Sequence, residues 1–149
     1  MDPSRDPSNE EIQWCADQRV QVVSYMADTG ADHGDIGEWP AWHIEPLVSV
    51  WAIESRQKPG WVGWWAICGD LPTDYVGSSG LPDPRSAVRA IATNWLEVSR
   101  VMATGDGHPT MQLCDPSEWP EVAPLLQSRA ETLIRWVDDS EIDWAESPG

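Results

Sequence analysis

The chain has 149 residues, a formal net charge of −16, and an aromatic set of eleven tryptophans, two tyrosines and no phenylalanine. This length suffices for one domain with its own hydrophobic core, and neither disulfide bonds nor a structural metal are needed to stabilise it. So acidic a surface would repel a phosphate backbone, which argues against direct nucleic-acid binding.

The three cysteines argue against a disulfide framework and against a zinc site. Cys15, Cys68 and Cys114 are widely spaced, odd in number and free of C-x-x-C pairing. The three histidines show no metal-ligand spacing either. The first residues are polar and acidic, and no apolar run has the length of a membrane span. We therefore expect a cytoplasmic protein with no metal, no cofactor and no membrane partner, and the oligomeric state stays open.

The first helix is predicted over residues 10–28, after a flexible leader at residues 1–9. Ser8 and Glu11 have the spacing of a capping box. Apolar residues then recur at intervals of three or four and are expected to be buried, namely Ile12, Ala16, Val20, Val23 and Ala27. The glycine-rich residues 29–39 are predicted to form a mobile loop.

A β-hairpin is predicted in the middle of the chain. Residues 47–54 are rich in β-branched side chains, and residues 61–69 form the second apolar run after the turn sequence SRQKPG. Placing Glu54 opposite Trp61 makes both faces of the hairpin apolar, so the hairpin needs helices or further strands to cover it. A third strand is predicted at residues 73–77, after a sharp turn containing Pro72.

Two more helices complete the predicted fold. Asp83 and Pro84 are typical of a helix start, and the helix is expected to end at residue 104. Its apolar stripe is Val88, Ile91, Ala92, Trp95, Val98 and Met102. A short strand is predicted at residues 111–114 and a helix at residues 123–138, before a loose acidic tail at residues 139–149. We expect an α+β fold, with a short central antiparallel β-hairpin or small sheet packed by about three helices, in a single domain at residues 10–138.

Three stretches of the chain carry a family resemblance. They are WAIESRQKPGWVGWWAICGDLPTDYV, DPRSAVRAIATNWLEVSRVMATG and DPSEWPEVAPLLQSRAETL. Together they resemble a family of short bacterial proteins known only as a domain of unknown function, over roughly residues 10–137. The resemblance implies a bacterial cytoplasmic protein and supplies no activity or site residues.

One candidate site is the polar cluster Asp70, Asp74 and Tyr75, just after the second strand. If the predicted register continues, Glu45 lies opposite Asp70, and two neighbouring carboxylates could act as acid and base or bind a cation. The commoner role of aspartate beside Gly and Pro is a hydrogen bond that stabilises the turn.

A second candidate is the set Trp39, Trp42 and Trp61, which lie at the ends of predicted elements. Tryptophans there can stay partly exposed and anchor an interface or enclose a cation, although core packing explains most tryptophans equally well.

The distribution of charge favours a binding protein. Residues 1–45 carry −8 and residues 115–149 carry −7, while residues 46–114 carry only −1. We expect a non-enzymatic protein that binds a basic protein partner, in the manner of inhibitors and immunity proteins. The alternative is a small enzyme or cationic small-ligand binder with its site at Asp70, Asp74 and Tyr75 and a tryptophan-lined pocket.

Overall fold

The computed structural model describes residues 8–104 and 119–139. The predictions for residues 1–7, 105–118 and 140–149 lie outside the described residues. The chain divides into two units, of which the first includes residues 8–87 and the second includes the described residues from 88 onward. Each unit is described by itself.

Helix α1 (Asn9–Thr29) begins and ends as predicted, but it buries a different face. Ser8 Oγ accepts a hydrogen bond from the backbone N–H of Glu11 at 3.1 Å, and Gly30 ends the helix in the left-handed conformation with φ of 74°. The buried side chains are Cys15, Gln18, Val22 and Met26. The stripe predicted to be buried is exposed along its whole length, at Ile12, Ala16, Val20, Val23 and Ala27. Spacing alone could not distinguish the two stripes, since both repeat at helical intervals.

The first unit contains a four-stranded antiparallel sheet in the order β1-β2-β3-β4. The strands are β1 (Trp42–Ile44), β2 (Val48–Glu54), β3 (Val62–Gly69) and β4 (Leu71–Gly77). Together with three helices, the sheet confirms the predicted α+β fold. Strand β4 extends the predicted third strand, whereas β1 was not predicted because it has only three residues.

The register between β2 and β3 differs from the predicted one by two residues. Val48 pairs with Gly69 and Trp51 with Ala66, and a shift follows between Ile53 and Glu54. Gly69 has a φ of 149°, and a Cβ there would lie 2.4 Å from the carbonyl oxygen of Leu47, so this position requires glycine.

The predicted pairing of Glu45 with Asp70 is therefore wrong. Glu45 lies in the turn between β1 and β2, where its peptide bond to Pro46 is cis. Asp70 is the single residue between β3 and β4, and its backbone N–H donates to Leu47 O at 2.9 Å.

The core of the first unit forms where α1 packs against β2 and β3. Trp51 is fully buried, and its indole Nε1 donates to Ser49 Oγ at 2.9 Å. Ser49 is also fully buried, and its Oγ lies 3.1 Å from Cys68 O and 3.3 Å from Gln18 Oε1. This network explains why a serine is buried beside Trp51, whose indole N–H needs an acceptor, and Gln18 Oε1 on the buried face of α1 in turn lies within reach of the Ser49 hydroxyl.

The segment after α1 is attached to the edge of β2 instead of forming the free loop that its glycines predicted. Ile36 forms a β-bridge with Ile53, and Gly37 N–H donates to Ala52 O at 3.1 Å. The guanidinium of Arg19 donates to Gly37 O and Ile36 O, both at 2.9 Å. This segment therefore continues along the same edge of β2 that β1 occupies further on.

The second unit contains most of α2 (Pro84–Thr104) and all of α3 (Trp119–Asp138). Asp83 Oδ1 accepts the Ser86 N–H at 2.8 Å, which confirms the predicted start of α2. The predicted apolar stripe of α2 is buried from Val88 to Val98. Helix α3 begins four residues earlier than predicted, because Pro120 falls in the first turn, where proline is tolerated. None of the helices within the described ranges is long and apolar enough to cross a membrane.

Candidate functional site

Two of the three predicted site residues, Asp74 and Tyr75, contact α1 from β4, whereas Asp70 does not belong to this contact. Asp70 is exposed in the turn, while Asp74 Oδ1 accepts the Tyr75 backbone N–H at 2.8 Å. The Tyr75 ring lies between two others, with centroids 5.8 Å from Tyr25 of α1 and 5.5 Å from Trp64 of β3. Such aromatic contacts stabilise packing between elements.

Tyr25 of α1 contacts both Asp74 and Tyr75, and its pKa responds to this environment. Burial and the Asp74 carboxylate, which accepts a hydrogen bond from the Tyr25 hydroxyl, together raise the pKa of Tyr25 to about 12. Both effects disfavour a tyrosinate at this place. The carboxylate of Asp74 and the ring of Tyr75 are thus engaged in contacts between β4 and α1, and the binding role of the cluster stays a prediction.

The three predicted tryptophans differ sharply in exposure. Trp61 is 71% exposed, in the connection between β2 and β3. Trp39 is half-buried, with its ring edge-on to His43 at a centroid distance of 5.4 Å. Trp42 is only 2% exposed, so the expectation that it is partly exposed is wrong. Its position in β1, paired with Val50, directs the side chain into the core.

A shallow acidic cleft of about 620 Å³, wide open to solvent, lies beside Trp61. Three carboxylates line it, from Asp35, Glu38 and Glu54, and Arg19 is the one cation among its lining residues. Arg19 directs its guanidinium to the carbonyls of residues 36 and 37. The full lining is Arg19, Asp35, Ile36, Gly37, Glu38, Ala52, Glu54, Gly60, Trp61 and Val62.

The three carboxylates of the acidic cleft differ in their hydrogen bonds and exposure. Glu54 Oε2 accepts the Gly60 N–H at 2.8 Å, which orders the connection that carries Trp61. Asp35 and Glu38 are exposed, and among the described residues neither carboxylate takes part in an ion pair. Their negative charge therefore faces solvent beside a large aromatic ring.

Trp61 also lines a second cleft of about 530 Å³ on its other side. This cleft contains Arg56 and Lys58, and the Arg56 guanidinium lies 3.3 Å from Asp32. Trp61 and the neighbouring Val62 thus line both of these surface clefts, which differ in charge. Neither cleft is lined by Asp70, Asp74 or Tyr75.

Sequence reasoning missed one buried pair of ionisable side chains. His43 Nε2 lies 2.7 Å from Glu11 Oε2, and the two side chains are 4% and 13% exposed. The rings of Trp14 and Trp39 lie beside His43. Glu11 and His43 are far apart in sequence, so no local motif indicated the pair.

The described residues offer no constellation for a metal. Within residues 8–104 and 119–139, no group of three or more His, Cys, Asp or Glu side chains is placed to hold a metal ion.

The fold and these clefts define a small acidic α+β protein with an exposed aromatic residue beside a carboxylate-lined cleft. The family described as "Domain of unknown function (DUF4826)" matches residues 8–144, and the chain belongs to that family. No curated protein and no solved structure matches the chain.

Proposed function

We propose that this protein is a non-enzymatic binding protein that engages a basic protein partner, as inhibitors and immunity proteins do. The observation that carries the proposal is the exposed Trp61 beside the acidic cleft. Trp61 is 71% exposed, and tryptophan is among the residue types most enriched at the energetic centres of protein interfaces.

The chemistry of the site suits an arginine or lysine side chain of the partner. Such a side chain could lie over the Trp61 ring and direct its charge to Asp35 and Glu38, which combines a cation–π contact with ion pairs. The net charge of −16 would add long-range attraction and speed the encounter. The contacts at the cleft and the long-range attraction both require a positively charged partner surface.

The redox state of the cysteines supports a place in the cytoplasm. Cys15 and Cys68 are buried and form no disulfide bond, and burial raises the pKa of Cys68, which keeps its thiol protonated and unreactive. Free thiols of this kind are typical of a reducing compartment.

Affinity capture with two variants would test the proposal. The wild-type protein, Trp61→Ala and the control Leu125→Ala would be immobilised and exposed to extract of the source organism at low and high salt. Leu125 is 54% exposed on α3, so the control removes an exposed apolar side chain in the other unit. We expect a basic protein that the wild type and the control retain at low salt, that high salt releases, and that Trp61→Ala fails to retain. If the wild type and both variants retain the same proteins of the extract, the proposal is contradicted.

A further inference from the structure

The exposed face of α1 is a second apolar surface that the clefts do not explain. Val20 is 67% exposed, Ile12 46% and Val23 41%, and alanines at positions 16 and 27 continue the same stripe. The spacing of four, four, three and four residues places all five side chains along one line of the helix. A stripe of this length on a helix that already buries its other face marks an interaction surface.

The stripe continues into the acidic cleft through Arg19. On a helix, residues three and four apart are neighbours, so Arg19 adjoins Ala16 and Val23. The guanidinium of Arg19 donates to the carbonyls of Ile36 and Gly37, and the same side chain lines the acidic cleft. One continuous surface therefore runs from the stripe across Arg19 to the cleft.

The charges along α1 indicate what covers the stripe. Glu10, Asp17 and Asp28 are exposed and lie along one side of the stripe on the helical wheel. On the other side lies Arg19, whose guanidinium is directed at two backbone carbonyls. A second copy of the chain would bring another −16 charge to this surface, whereas a helix with basic residues beside its apolar stripe would complement it.

We infer that α1 is a docking surface for a basic amphipathic helix of the partner protein. The apolar side chains of that helix lie on Ile12, Val20 and Val23, and its lysine or arginine side chains face Asp17 and its acidic neighbours. The small side chains of Ala16 and Ala27 let the two helix backbones approach closely. This inference rests on the proposed function, and it names the secondary structure and the amphipathic pattern of the partner.

A model peptide allows a test that does not depend on finding the partner. The probe is a helical peptide of about 18 residues, long enough for five turns, with leucine at helical spacing and lysine elsewhere. A scrambled peptide of the same composition has the same charge without the apolar stripe. Binding of both peptides would be measured by calorimetry for the wild type, Val20→Ser/Val23→Ser, Trp61→Ala and the control Leu125→Ser.

We expect the wild type and Leu125→Ser to bind the patterned peptide. We expect Val20→Ser/Val23→Ser to bind it about tenfold more weakly or worse, because the variant lacks two valine contacts that the bound peptide would bury. Both valines are exposed, so circular dichroism should show that the double variant stays folded. Equal binding of the scrambled peptide, or equal affinity of the double variant and the wild type, would overturn the inference. The inference would also be overturned if sedimentation showed that the wild type is a dimer and the double variant a monomer, since a second copy of the chain would then cover the stripe.

The outcomes separate this inference from the proposed function. Loss of peptide binding in Trp61→Ala alone, with the double variant unaffected, would retain the acidic cleft as the site and refute the role of α1. Loss of peptide binding in the double variant alone would support the role of α1. The role of the acidic cleft would then be tested by the affinity capture with Trp61→Ala.

Discussion

The hydrogen-bond network at Ser49 predicts an unusually large effect for the loss of one hydroxyl group. In Ser49→Ala, the Trp51 indole N–H loses its acceptor in a fully buried site, and Gln18 loses its partner in the core. A buried polar group without a partner costs about 1–3 kcal/mol. We expect the free energy of unfolding to fall by about 2 kcal/mol, which for a chain of this length lowers Tm by about 4–8 °C.

The matched control for Ser49 is Ser78→Ala in the same unit. Ser78 Oγ donates to Val62 O at 2.8 Å and is half-buried, so its removal leaves no buried N–H without an acceptor. We expect a loss below about 1 kcal/mol for the control. Urea unfolding followed by circular dichroism would measure both variants. A loss of unfolding free energy for Ser49→Ala no larger than that for Ser78→Ala would show that Ser49 is not needed to bury Trp51.

Two further predictions concern Gly69 and Tyr25. Gly69→Ala should lower the free energy of unfolding by more than about 3 kcal/mol, because its Cβ would lie 2.4 Å from Leu47 O. Gly30→Ala, with φ of 74° and no atom near the added Cβ, should cost about 1 kcal/mol, and similar losses in urea unfolding would contradict this account. The pKa of Tyr25 is raised by burial and by the Asp74 carboxylate from its ordinary 10.0 to about 12, so the folded state holds its proton more tightly than the unfolded state. This stabilisation should be complete below pH 10.0 and lost as the pH rises toward about 12, and Tyr25→Phe should remove that part of the pH dependence of unfolding. If the pH dependence of the free energy of unfolding is unchanged in Tyr25→Phe, another titrating group causes it.

The sequence predicted those features of the fold that depend on local signals. The capping serine of α1, the Asp83-Pro84 start of α2 and the apolar stripe of α2 all appear in the structure. The buried face of α1 could not be predicted in this way, because Gln18 lies there to bond Ser49 from a distant strand. Local propensity carries no information about such a long-range contact.

The register of the hairpin and the composition of the site also depend on distant contacts. Gly69 sets the register through its close approach to Leu47, which no turn motif indicated. Trp61 was expected at the rim of the fold and is exposed there, whereas Trp42 is buried because a short strand that periodicity could not reveal carries it. The acidic cleft combines side chains from α1, the segment after it, β2 and the next connection, so its parts meet only in the folded chain.

The salt dependence of binding would show whether the acidic surface of this protein binds a basic partner. The affinity of the captured partner would be measured by calorimetry at about 50 mM and about 500 mM salt, where screening lengths differ severalfold. The measurement would compare the wild type with Asp35→Asn/Glu38→Gln, which neutralises the two exposed carboxylates of the acidic cleft. We expect the affinity to fall as salt rises, and we expect the neutralised variant to bind more weakly and with a shallower salt dependence. An affinity that neither salt nor neutralisation changes would contradict the claim that this acidic surface binds a basic protein.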